Sequence, residues 1–157
     1  NRAAKNARKS TKNKTAVKVH RTLRRLIDEL STEIHEVAMS LPLYRRAFEE
    51  LGLKGPTLAY IISHDGLALT ALPRDRLDVR YQMTERLWRK RSLRSQLLIK
   101  LANVAVLHKH PRYLKKYEYY RQKGKKRWQC VLRVARITLR DLAKLAKTAQ
   151  KAGSPPA

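Results

Sequence analysis

The stretch Arg127–Lys151, RWQCVLRVARITLRDLAKLAKTAQK, decides how the chain is read. Val131, Ala135, Thr138, Leu139, Leu142 and Ala146 recur at steps of three and four, which is one face of a helix. Arg133, Arg136, Arg140, Lys144, Lys147 and Lys151 follow the same rhythm on another face. At 1.5 Å rise per residue, those six cations form a line about 27 Å long. A solvated helix face usually mixes signs to gain i,i+4 pairs, and here only Asp141 interrupts. A long face of one sign suits a row of phosphates.

The preceding stretch Tyr113–Trp128, YLKKYEYYRQKGKKRW, packs seven cations among four tyrosines and a tryptophan. Its cations are Lys115, Lys116, Arg121, Lys123, Lys125, Lys126 and Arg127. Rings in such a setting either stack on bases or brace the helix that carries the charge; the second is the commoner use. Further upstream Arg86, Arg89, Lys90, Arg91 and Arg94 form a third basic cluster.

Charge is segregated along the 157 residues, which carry 37 Lys and Arg against 12 Asp and Glu. Residues 1–15 hold six cations (Arg2, Lys5, Arg8, Lys9, Lys12 and Lys14) and no acid. Residues 16–85 hold ten of each sign, and residues 86–157 hold 21 cations and two acids. A net charge of +25 destabilises a compact monomer by self-repulsion, and a polyanionic partner relieves it. Apolar residues at 43% are enough for a folded core of modest size. A single cysteine, Cys130, excludes an internal disulfide and fits a buried thiol beside Val131 and Leu132. No apolar run reaches the ~18 residues a bilayer span requires. The chain opens on Asn1 rather than Met, as a processed or partial chain would.

Helical periodicity predicts most of the remaining structure. Residues 1–15 show none and are expected to be an extended, disordered basic arm that orders on a partner. From about Val17 the residues Val19, Leu23, Leu26, Ile27, Leu30, Ile34, Val37, Ala38 and Leu41 recur at helical spacing until Pro42. Leu43–Leu51 makes a short helix stopped by Gly52. Gly55-Pro56 marks a turn, Leu58–Ile62 a buried strand or short helix, and His64-Asp65-Gly66 another turn. The following segment, Leu67–Asp78, reads as a loop, and a helix is expected from about Val79 to His108 with Leu87, Leu97, Leu98, Leu101, Ala102, Val104 and Ala105 on its core side. Arg112–Lys123 forms another helix before Gly124.

Acid–base and metal chemistry have little support. Asp28, Glu29, Glu33 and Glu36 have Arg21, Arg24 and Arg25 for partners on the same helix. His20 and His35 are too far apart to share a metal, and His108 and His110 lack an acidic neighbour. There is no Gly-rich phosphate loop and no nucleophile elbow. No catalytic residue, metal or cofactor is expected.

Two family resemblances add to this. Val19-His20, Glu50-Leu51-Gly52-Leu53-Lys54-Gly55 and Asp65-Gly66 resemble the front half of CRISPR-associated RecB-like nucleases. The metal-binding aspartate of that family would fall near Leu58, its Glu-x-Lys is absent from Leu67 to Asp78, and its iron–sulfur cysteines are missing, so the resemblance implies an inactive nuclease. A very basic inactive nuclease of this kind resembles the nucleocapsid proteins of filamentous archaeal viruses, the tristromaviruses. That implies a virion coat protein, homo- or heterodimeric with a related subunit, which wraps double-stranded DNA in a helical filament. Gly52-Leu53-Lys54-Gly55-Pro56 together with RYLKKYEYYRQKGKKRW also resembles the C-terminal half of serine and RuvC-type insertion-sequence transposases. No serine stands between Leu67 and Lys90, where their nucleophile would fall, so this resemblance implies a non-catalytic DNA-binding fragment. An RNA-binding component of a ribosome-like particle, an intracellular nucleoprotein, fits the charge as well.

The expected protein is therefore mainly α. It has an extended basic arm (1–15), one helical domain (16–151) and a flexible tail (152–157). The domain divides into a charge-neutral packing half (16–85) and a basic nucleic-acid-facing half (86–151). Its function is sequence-independent binding of double-stranded DNA through phosphates.

Overall fold

A computed structural model describes the backbone of residues 2–83 and 92–153, and the side chains of residues 14–83 and 92–150. The protein is mainly α, with seven helices and no strand among the described residues. In chain order they are α1 (Arg2–Ala38), α2 (Pro42–Leu51), α3 (Pro56–Ala71), α4 (Arg74–Arg80), α5 (Leu93–Leu107), α6 (Pro111–Gln122) and α7 (Arg127–Gly153).

The punctuation in the sequence sets many of these boundaries. Pro42, Pro56 and Pro111 each open a helix, where a missing N–H costs nothing. Gly52 closes α2 in the left-handed region (φ 60°), and Leu53 N–H bonds back to the Ala47 carbonyl. Ser92 caps α5 by accepting from Ser95 N–H. Gly124, also at positive φ, separates α6 from α7.

The centre of the body is α7, which packs against α2, α3, α4, α5 and α6. Cys130, Val131, Leu132, Val134, Ala135, Thr138, Leu139, Leu142, Ala143, Leu145 and Ala146 are all buried. The apolar face of α7 is thus wider than its first stripe, because neighbours press on it from several sides. The neutral and basic halves of the chain form one body rather than two, since α7 is wrapped by helices from both.

Several expectations are corrected. The basic segment 2–15 is not an extended arm; its backbone continues α1, as its alanines, lysines and arginines favour. The stripe of α1 is real but unburied: of its members only Ala38 enters the core. Residues 56–71 form one helix: the helical reading of Leu58–Ile62 holds, no turn forms at His64–Gly66, and the loop expected over Leu67–Asp78 is instead the end of α3 and most of α4. The helix expected over 79–108 is instead α4 and α5: α4 ends at Arg80 and Gln82 takes a positive φ of 48°. Leu87, placed in that core, lies outside the described residues, as do residues 154–157 of the expected flexible tail, while residues 152 and 153 belong to α7.

Candidate nucleic-acid interface

On α7 the burial pattern leaves one arc open. At about 100° per residue, Arg133, Arg136, Arg140, Lys144 and Lys147 fall within roughly 80° of one another. The three arginines are half-buried, with aliphatic stems over the core, and the two lysines are exposed. The arc is less bare than the sequence implied. Arg136 and Arg140 both reach Asp78 Oδ2 from α7 to α4, at 3.3 and 3.4 Å. Lys147 Nζ donates to the Leu72 carbonyl at 3.2 Å, and the Arg133 guanidinium lies 5.2 Å from the Tyr120 ring centre. Asp141, the one acid on α7's sequence, is taken by α6: Arg112 grips it with two bonds of 2.6 and 2.8 Å. One carboxylate shared between two guanidinium groups leaves the Arg136–Arg140 pair with a net positive charge.

A groove of about 290 Å³ lies where α4 meets α7. Leu77, Leu139 and Ala143 line it with Arg74, Arg140, Lys144 and Lys147. Asp78, which also lines it, has Oδ1 buried with no hydrogen-bond partner, and Nε of Arg136 and of Arg140 are buried and unpartnered as well. The pairings to Asp78 are therefore long and incompletely satisfied.

The cations of α6 and the turn after it mostly face solvent. Lys115, Lys116, Arg121, Lys123, Lys126 and Arg127 are exposed, and Lys125 is half-buried. Arg121 Nη1 braces the turn by donating to the Lys125 carbonyl at 3.1 Å. The rings divide by role. Tyr113 is fully buried, and Tyr117 and Trp128 pack on the core. Burial, then the charge of Asp141, pushes the Tyr113 hydroxyl far above its usual range. Tyr119 is exposed, and Lys123 Nζ sits 4.7 Å from its ring centre. A hydrogen bond with Lys123, and its positive charge, lower the Tyr119 hydroxyl from its ordinary value.

A buried carboxylate carries the most densely bonded polar cluster. Asp65, 1% exposed in the middle of α3, accepts from Arg80 Nη2 at 2.7 Å, Arg94 Nε at 2.9 Å and Tyr81 Oη at 3.0 Å. Burial raises its proton affinity, but Arg80, Tyr81 and Arg94 together outweigh that and hold it below the usual carboxylate value. The same burial, with the adjacent charge, drives the Tyr81 hydroxyl far upward. Asp65 thereby ties the end of α4 to the start of α5. Ser92 N–H also donates to Gln82 Oε1 at 2.9 Å, which ties the start of α5 to the residues just after α4.

Of the basic residues picked from sequence, Arg133, Arg136, Arg140, Lys144 and Lys147 come together on α7. The cluster from Lys115 to Arg127 occupies α6, its turn and the start of α7. Arg94 stands apart from both as half of an internal clamp. Lys14 is exposed on α1. The side chains of Arg2, Lys5, Arg8, Lys9 and Lys12, and the residues Arg86, Arg89, Lys90 and Arg91, lie outside those described. Sequence reasoning missed Asp65, Asp78, Arg74 and Arg80. Asp65 carried a readable signal, because Leu58, Ile61, Ile62, Asp65 and Leu69 share one helical phase and all five are buried. Among the described residues no group of three His, Cys, Asp or Glu could hold a metal ion, and no helix is long and apolar enough to cross a membrane. Comparison with family models, curated proteins and solved structures gives no match.

Proposed function

We propose that this chain binds double-stranded DNA through its phosphates, without reading sequence, as a structural rather than catalytic component. One observation carries the reading. Five cations share a narrow arc along the central helix, and two of them, Arg136 and Arg140, share the one carboxylate of Asp78 through long bonds. Point-like charges on a rigid rod match a regular row of phosphates, and the counterions they displace supply the free energy. The exposed cations of α6 and its turn extend the same field. Tyr119 adds a ring that an unpaired base could stack on.

The coat-protein setting implied by the nuclease resemblance remains one form of this proposal. A second setting has a specific observation in its favour. The nuclease resemblance calls for a strand near Leu58–Ile62 and a hairpin at Asp65-Gly66, and both lie inside α3. The transposase resemblance calls for a glycine-proline turn into a helix, a tyrosine-rich helix, a Gly-Lys turn and a last helix. The order α2, Gly52–Pro56, α3, then α6, Gly124-Lys125 and α7 follows that scheme. A non-catalytic DNA-binding fragment of a transposase is therefore the setting the helix order favours.

The test is titration of random-sequence linear duplex with purified protein, followed by nuclease protection and electron microscopy. Uniform protection with regular filaments supports the coat setting. Discrete complexes at ends or particular sites support the transposase setting. Tight binding to structured RNA without duplex protection contradicts both and points to a ribonucleoprotein.

A further inference from the structure

The C-terminal part of α1 touches the body through only a few residues. Ser31, His35 and Ala38 turn inward, while His35 Nδ1 and Tyr44 Oη lie 2.8 Å apart and Gly55 N–H donates to the same hydroxyl at 2.8 Å. Residues 14–30 are exposed on every side. Yet Leu23, Ile27, Leu30, Ile34 and Val37 are spaced 4, 3, 4 and 3 apart, and each is between 39% and 74% exposed. That is a 3.5-residue apolar repeat, the pattern of a helix seam that another helix covers. Val19 and Leu26, also about half exposed, widen it. A helix owes most of its stability in water to packing of such a face, and the described residues of this chain leave it unpacked.

The charges on α1 say what covers it. Lys14, Lys18, Arg21, Arg24 and Arg25 precede residue 27, and Asp28, Glu29, Glu33 and Glu36 follow it. The helix is therefore cationic in one part and anionic in the next. A second copy laid antiparallel sets each part against its opposite. A parallel copy sets like against like along the whole length, which costs stability. An anionic lipid surface would be repelled by the acidic part. We infer that α1 is the dimerisation element of this protein, pairing with the α1 of a second copy in antiparallel orientation about a two-fold axis near Ile27. This goes beyond the proposed DNA binding and does not depend on it. It has a consequence for that binding, however. Overlapping residues 16–37 puts the two bodies about 35 Å apart at 1.5 Å per residue, close to one turn of duplex.

The experiment is sedimentation of the full chain freed of nucleic acid, with distances between spin labels. The wild type is expected to be a dimer. Ile27→Glu with Leu30→Glu should yield a monomer whose body melts as before, since both side chains are exposed. Single labels at Lys18→Cys, Arg25→Cys and Glu36→Cys, in a Cys130→Ala background, should give long distances at Lys18 and Glu36, roughly 27 Å along the axis. The shortest should be at Arg25. A monomeric wild type, or a dimer that survives both glutamates, overturns the inference. Equal distances at the three sites overturn the antiparallel orientation.

Discussion

Replacing Asp65 by asparagine removes the charge on which three donors converge while keeping the side chain's shape. The amide offers one oxygen where the carboxylate offered two, and its NH₂ then faces the arginine N–H groups. Charge-assisted bonds to a buried partner are worth about 1.5–3 kcal/mol each, and breaking a buried pair typically costs about 3–5 kcal/mol. Arg80 and Arg94 are 38% and 44% exposed, so water recovers part of the loss. A net destabilisation of about 2–4 kcal/mol follows after that discount. For a chain of this length the entropy of unfolding is about 0.3 kcal/mol/K, so Tm should fall by roughly 6–12 °C. The assay is a thermal or urea melt followed by circular dichroism at neutral pH. Asp75→Asn is the control, because Asp75 is exposed in the first turn of α4 and should cost no more than about 1 kcal/mol. If Asp65→Asn melts within a degree of the wild type, the clamp does not hold α4 to α5 and the reasoning fails.

Four other outcomes are expected. Because the Asp65 carboxyl is held below its unfolded value near 3.9, its contribution is complete above about pH 5 and is lost as pH falls through the folded value. The stability gap between wild type and Asp65→Asn should therefore stay constant from pH 5 to 8 and close in acid, read from urea melts across that range. Gly52→Ala should cost about 1–3 kcal/mol, since the position is left-handed and an added Cβ would lie 2.8 Å from His110 Nε2. Gly66→Ala, mid-helix with open space around it, should instead stabilise by about 0.5–1 kcal/mol in the same melts. Cys130 is fully buried, and that burial raises its thiol pKa. Its reaction with a disulfide reagent should then track global unfolding and speed up sharply near the melting midpoint.

The ends of α2, α6 and α7 were legible in the sequence because proline and glycine act locally: they fix φ or remove a donor whatever the surroundings. The interior of α3 was not legible, because Asp65-Gly66 is turn chemistry until tertiary partners arrive. Arg80 and Arg94, 15 and 29 residues away, satisfy that aspartate inside a helix. The cationic face of α7 was readable from spacing alone, but its counter-ion was not. Asp78 reaches it across 58 and 62 residues of sequence, a pairing that no local pattern encodes. The stripe of α1 was correctly placed on one helix face. What lies over it was not legible, since periodicity reports that a face is apolar and not what covers it.

The most direct test of duplex binding through the α7 arc is the salt dependence of affinity for random-sequence duplex. Wild type should be compared with a variant carrying Arg133→Gln, Arg136→Gln, Arg140→Gln and Lys144→Gln. At about 0.9 per lost phosphate contact, the log–log slope should fall in magnitude by roughly 3 to 4 units while the variant stays folded. An unchanged slope in a folded variant would show that the arc does not touch phosphate and would contradict the account.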